Sequence, residues 1–154
     1  MNDDVQHPNA LTRTGARADF VRADIAADAP SAARTRVEFG GWLRSHFTLG
    51  DDRYNDLLLA VYEALANAAE YAYVDAAAPG TVGLTAAYAP DSDTLIVTVV
   101  DQGSWRTPTG DRTGNLRGRG IPLMHALADE ATIEGTPTGT EVTLQWFALT
   151  NGRP

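Results

Sequence analysis

The chain has 154 residues, 44% of them hydrophobic, with 12 basic and 20 acidic residues and a formal charge of −8, which suits one globular domain with a real core. It has no Cys and no Lys, so disulfides, thiolate chemistry, a Schiff-base lysine and a P-loop lysine are excluded. The acidic excess falls in residues 51–101, where Arg53 is the single cation, and a nucleic-acid binder would be expected to show a basic patch instead.

The chain opens on MNDDVQHPNA, acidic and polar, which is not a signal peptide. No apolar run reaches the length of a membrane span. The expectation is a soluble cytoplasmic protein with no membrane or direct nucleic-acid partner. Residues 1–17 read as a polar tail, residues 18–149 as a single domain, and residues 150–154 as a second tail. Phe20 to Ala27 alternates roughly and is predicted as a strand. Ser31 is placed to cap a helix running to about Phe47, with Ala33, Val37, Gly40, Gly41 and Phe47 as a weak apolar stripe. Asp51-Asp52 opens the clearest helix, to about Tyr73, with Leu57, Val61, Ala64, Leu65, Ala68 and Ala72 on one face.

Thr81–Tyr88 and Thr94–Asp101 read as strands joined by a turn at Pro90-Asp91-Ser92-Asp93. Residues 102–120 form a long loop rich in Gly, Arg, Thr and Pro. Ile121–Asp129 is a short helix, with Pro122 suited to its first turn. Ala131–Gly135 and Glu141–Leu149 close the domain around Thr136-Pro137-Thr138-Gly139. Val142, Leu144, Trp146 and Ala148 share one side of the last strand. This order predicts an α+β fold: a two-layer sandwich with helices on one face of a mixed, mostly antiparallel sheet.

Four places could carry chemistry. Glu63 and Asn67 lie one turn apart on the long helix, in a stripe with Asp56 and Glu70. Read alone, this is a solvated polar face. It is also a usable pair, because an Asn oxygen suits Mg²⁺ and a Glu can deprotonate a hydroxyl. The apolar strand Val97–Val100 ends in Asp101, followed by Gly103. That carboxylate can accept from an adenine amine or close an Asx turn. Arg117-Gly118-Arg119-Gly120 precedes a helix start, where backbone N–H groups favour a phosphate. Alone it is equally a plain loop, and Gly139-Thr140 is only a turn. His7, His46 and His125 show no metal-ligand spacing.

The succession is more specific than its parts. Glu63-x3-Asn67, then Asp101-x-Gly103, then Gly118-x-Gly120, then Gly139-Thr140 resembles the GHKL family of histidine-kinase-like ATPases over about residues 18–149. Within that family the chain looks like anti-sigma factor serine/threonine-protein kinases of the RsbW and SpoIIAB type, and the resemblance implies the Bergerat ATP-binding fold. It implies ATP and Mg²⁺ as cofactors, with Asn67 as metal ligand and Glu63 as general base. Asp101 would bind the adenine amine, with Thr140 assisting through water, and Gly103 would let the base pack closely. Arg117, Gly118, Arg119 and Gly120 would hold the phosphates under a lid of residues 104–117. Tyr71 stands where the family often has His, and Trp105 where the Asp101 box often has its second Gly.

The implied function is a partner switch. The domain would bind a sigma factor and phosphorylate an anti-sigma factor antagonist, a STAS-type protein. A homodimer is implied as well, with Gly40-Gly41-Trp42 offering a contact surface. Two other readings stay open: a non-catalytic, nucleotide-gated interaction module of the same fold, and a histidine-kinase catalytic domain. No long two-helix segment with a phosphoacceptor His precedes the domain, which weighs against the last.

Overall fold

The computed structural model describes residues 18–72, 80–102, 120–136 and 139–150. Among these residues, three α-helices cover one face of a five-stranded sheet, the expected α+β sandwich. The elements run β1 (Ala18–Ala26), α1 (Ala29–His46), α2 (Asp51–Asn67), a π-helical turn (Ala68–Ala72), β2 (Thr81–Ala89), β3 (Thr94–Asp101), α3 (Gly120–Leu127), β4 (Glu130–Thr136) and β5 (Gly139–Trp146). The strand order is β1-β2-β3-β5-β4, and every pairing is antiparallel. The mixed component of the sequence expectation therefore drops out.

The sheet is built by alternation. Val82, Leu84 and Ala86 of β2, Leu95, Val97 and Val99 of β3, and Val142, Leu144 and Trp146 of β5 all point into the helix layer and are buried. Trp146 anchors that layer by donating from Nε1 to the Leu127 carbonyl at 3.0 Å. β1 needs a correction to stay in phase. Phe20 faces the core and Val21 faces solvent, but the register shifts between Arg22 and Ile25, where Asp24 takes φ 55°. This bulge brings Ile25 back against the core.

α1 departs from its sequence reading in two ways. Asp28, not Ser31, is the N-cap, and its carboxylate accepts the Ser31 N–H at 2.8 Å. Hydrogen bonds from Ser31 hold the Asp28 carboxyl below its usual value. Pro30 occupies the first turn, so the helix starts before Ser31. The buried face is Ala32, Thr35, Phe39, Gly40 and Leu43, while Ala33 and Val37 face solvent. The large side chains Phe39 and Leu43 decide the orientation over the small residues of the expected stripe.

Gly40 is consumed inside the subunit. A Cβ there would come within 2.6 Å of the Tyr54 hydroxyl and 3.3 Å of Leu58, so its bareness lets α1 cross α2. Trp42 stacks on Phe39 at 5.8 Å and meets the Phe47 edge at 5.5 Å. Gly40 and Trp42 are therefore engaged in packing within the chain, while Gly41 between them faces outward.

α2 starts at Gly50 without a side-chain cap, and Asp51 and Asp52 sit in its first turn, where the helix dipole favours them. Arg53 donates to the Phe147 carbonyl at 2.6 Å and lies 3.8 Å from Asp129, tying α2 to the segment after β5. β5 ends at Trp146. The expected continuation fails because Ala148 turns outward at φ 48°, and Leu149 then drops into the core. The Leu149 N–H reaches the Asp93 carbonyl at 2.9 Å, and Thr150 donates its N–H and hydroxyl to the Asp93 carboxylate. No helix among the described residues is long and apolar enough to cross a membrane.

Candidate functional site

The site grows from the C-terminal end of α2 and the facing ends of β3 and β5. Glu63 and Asn67 are one turn apart on α2 and share a side of it. Glu63 is half-buried, and Asn67 is only 7% exposed. The solvated-face reading of the stripe thus fails at Asn67, though Glu70 remains exposed. The Asn67 Nδ2 is buried and has no hydrogen-bond partner. A buried amide donor left unpaired costs about 1–3 kcal/mol, so it marks a place where something polar from outside belongs.

Immediately after Asn67 the helix widens into the π turn Ala68–Ala72. Single π turns inside helices frequently sit at functional sites. The expected regular α-helix to Tyr73 therefore stops being α-helical at the candidate metal ligand. Nothing in Ala-Ala-Glu-Tyr-Ala announces this, since Ala is the best α former.

Asp101 ends β3 and Thr140 begins β5, and the two are register partners. Both are inward-facing polar residues at the end of an otherwise apolar column, 5% and 3% exposed. The Thr140 hydroxyl is buried without a partner, the second such atom in this region. A cleft of about 240 Å³ opens at these strand ends, lined by Asp101, Gln102, Glu134, Gly139, Thr140 and Glu141 among others; Glu134 and Glu141 alternate with the inward-facing residues, so that part of its wall lies on the uncovered face of the sheet. α2 lies against β3 and α3, so Glu63 and Asn67 belong to the same helix-covered side as Asp101 and Thr140. Gly120 is the first residue of α3. Gly103, Arg117, Gly118 and Arg119, the lid and Trp105 lie outside the described residues, as does the Tyr71 side chain.

Three cleft residues escaped the sequence reading: Gln102, Glu134 and Glu141. Glu134 and Glu141 are direct partners across β4 and β5, an arrangement of like charges that disfavours pairing. Only the register of the last hairpin reveals it.

Gly139 has a steric role of its own. A Cβ there would overlap the Asp101 backbone carbonyl, so only Gly lets β5 start this close to the end of β3. Gly139→Ala is expected to destabilise the fold by about 1–3 kcal/mol, because backbone and not a side-chain tip must move. Chemical denaturation measures this, and a stability equal to the parent would remove the close-approach role.

Asp56, on the same helix, is held above the ordinary carboxyl range by burial first and by the neighbouring Asp52 second. A raised native value means that ionising Asp56 costs stability. The cost is absent below the unfolded pKa, sets in as pH rises through the native value, and persists at neutral pH. Asp56→Asn should therefore raise stability at pH 7 and leave it unchanged well below the usual carboxyl value. Denaturation at both pH values checks the sign.

The unpaired Asn67 Nδ2 and Thr140 hydroxyl suit a ligand that accepts hydrogen bonds, as a nucleotide does; a hard cation would be met by the Asn67 oxygen and not by its nitrogen. Among the described residues no group of three or more acidic or His side chains gathers to hold a metal. A Mg²⁺ at Asn67 would therefore complete its shell with phosphate and water oxygens, as this ion prefers. The unsatisfied Asn67 amide and Thr140 hydroxyl, with the Gly139 close approach, fit a polar ligand seated between α2 and the β3–β5 end.

A family model described as a histidine kinase-like ATPase domain matches residues 25–146. The chain belongs to that family. ATP is accordingly the ligand class of this histidine kinase-like ATPase domain. Its fold is similar to the crystal structure of the RsbU and RsbW domains of Rv1364c from Mycobacterium tuberculosis, with a TM-score of 0.67 and 24% sequence identity. The match covers 89% of this chain and 33% of that one, so this chain spans about a third of the length of the solved chain.

Proposed function

We propose that this domain is an anti-sigma factor with ATP-dependent serine/threonine kinase activity. It binds a sigma factor, and it transfers the γ-phosphate of ATP to a Ser or Thr of a STAS-type antagonist. The observation that carries this reading is Glu63, half-buried, one turn from Asn67, whose buried amide is unsatisfied. The likeness in fold to a structure that includes an RsbW domain supports it.

In this reading Glu63 accepts the proton of the attacking hydroxyl as its oxygen bonds to the γ-phosphorus. The bond from that phosphorus to the β–γ bridging oxygen breaks, and ADP leaves. Asn67 holds Mg²⁺, which when bound neutralises phosphate charge. Asp101 accepts from the adenine amine, and Thr140 assists it through water. Gly103 admits the base, and Arg117, Gly118, Arg119 and Gly120 hold the phosphates. The phosphorylated antagonist gains about −1.5 to −2 charges and docks less well beside the acidic α2 region. A homodimer belongs to the same reading.

The test pairs two measurements. ATP titrated with and without Mg²⁺ should show metal-dependent binding. Labelled γ-phosphate should then appear on an antagonist Ser or Thr. Binding without transfer to any antagonist would leave the non-catalytic interaction module in its place.

A further inference from the structure

The two edges of the sheet are built differently. β1 and β4 end the strand order β1-β2-β3-β5-β4. An edge strand directs the backbone N–H and C=O groups of alternate residues away from its neighbour, where another chain can pair with them. β1 is interrupted by the bulge between Arg22 and Ile25, a feature that blunts an edge. β4 is not interrupted. Its 7 residues, Glu130–Thr136, keep one unbroken register with β5 and include no Pro, Lys or Arg. Among the described residues no strand pairs with the outer side of β4.

The two faces of β4 differ in chemistry. Ala131 and Ile133 are half-buried at the margin of the core. Glu130, Thr132 and Glu134 are exposed on the uncovered face of the sheet. Gln145 of β5 donates to Glu130 at 3.1 Å. Glu134 instead faces Glu141 directly, and neither carboxylate has an ion pair among the described residues. Opposed like charges work against the strand pairing, and a cation beside them relieves the repulsion. Both carboxylates line the cleft of about 240 Å³, together with Val100 and Gln102, so a side chain from outside has room to reach them.

We propose that β4 is a docking edge for an extended, basic segment of a partner protein, which joins the sheet as an additional strand. The apolar residues of that segment lie beside Ala131 and Ile133, and its basic residues, at the alternate positions, lie beside Glu130 and Glu134. One basic side chain reaches over Glu134 into the cleft and serves both Glu134 and Glu141. Charge selects this occupant over a second copy of the chain. In the antiparallel self-pairing centred on Thr132, Glu130 of each copy falls opposite Glu134 of the other, so like charges meet twice. The two acids thus guard the edge against its own kind and leave it open to a basic strand. Glu130 and Glu134 lie across the sheet from Glu63 and Asn67, so the docking edge stands whether or not phosphate is transferred.

The test uses the full chain, labelled for NMR, and an end-blocked peptide of about eight residues that alternates Arg with Val, long enough for an ordinary strand. The same peptide N-methylated throughout keeps its charge but cannot donate to the ladder, and a matched Glu-for-Arg peptide reverses the charge. Saturable shifts are expected along β4 and at Glu141, with a Kd below about 1 mM. Alternate β4 amides should gain protection from hydrogen exchange. The two control peptides should bind at least about tenfold more weakly. Glu134→Arg should weaken binding similarly, since it sets a cation against the incoming ones. Its Tm should be no lower than the parent's, because Arg opposite Glu141 replaces a repulsion with an attraction. The proposal is overturned by shifts that do not saturate or that map to another surface, by β4 amides that gain no protection, or by parental affinity in Glu134→Arg. Equal binding of either control peptide would overturn it too. Shifts along β4 on concentrating the protein alone would give the edge to a second copy in place of a basic partner.

Discussion

Asn67→Ala is expected to abolish Mg²⁺-dependent ATP binding and to leave the fold as stable as before, or more so. The two effects have opposite signs for one reason. The Asn67 amide is buried with an unsatisfied donor, a state that costs about 1–3 kcal/mol in the empty site. Ala removes that cost and is the better helix former by several tenths of a kcal/mol. What disappears is the oxygen that would hold the metal, and with it the bridge to the phosphates. Function and stability trade against each other where a site is kept ready for a ligand. Calorimetric titration with and without Mg²⁺, beside a thermal melt of the free protein, reads both. A variant with unchanged Mg²⁺-ATP affinity would take the metal role away from Asn67.

Glu63→Gln is expected to lower phosphotransfer by about 10²–10⁴-fold while ATP affinity stays near the parent's. Gln keeps the length and the hydrogen-bonding capacity of Glu, so the half-buried position on α2 should be preserved. It cannot take a proton. A defect confined to transfer is the signature of a group that acts on the attacking hydroxyl and not on the nucleotide. Equal loss of binding and transfer would mean that Glu63 supports the site structurally, and parental transfer would remove it from the chemistry.

How much was legible in the sequence depended on what each residue competed with. The β2–β3 hairpin and the inward column of β5 could be read because alternation was strict and Pro90–Asp93 marked the turn. The α1 cap was misread because Asp28 and Ser31 are both good caps, and Pro30 decided for the earlier one. The buried face of α1 was misread because small residues were weighted like Phe39 and Leu43. In the site, Glu63 and Asn67 were found by spacing, but spacing could not tell a solvated face from a buried amide. That difference comes from α3 and β3 packing on α2, contacts made by distant parts of the chain. The π turn was invisible because its residues favour the regular helix that they do not form there.

The pairing of Asp101 with Thr140 has a consequence for every folded copy of this domain. Side chains alternate along β5, so slipping it by one residue would set Gly139 or Glu141 opposite Asp101. The same slip would turn Val142, Leu144 and Trp146 out into water. One setting therefore aligns both the candidate site and the core, and a misaligned site is also an unfolded protein. The assembly checks itself: a molecule that passes as folded already carries Asp101 and Thr140 side by side. Loss of activity in a stably folded variant can then be traced to missing chemistry, because misregistration would already have cost the fold.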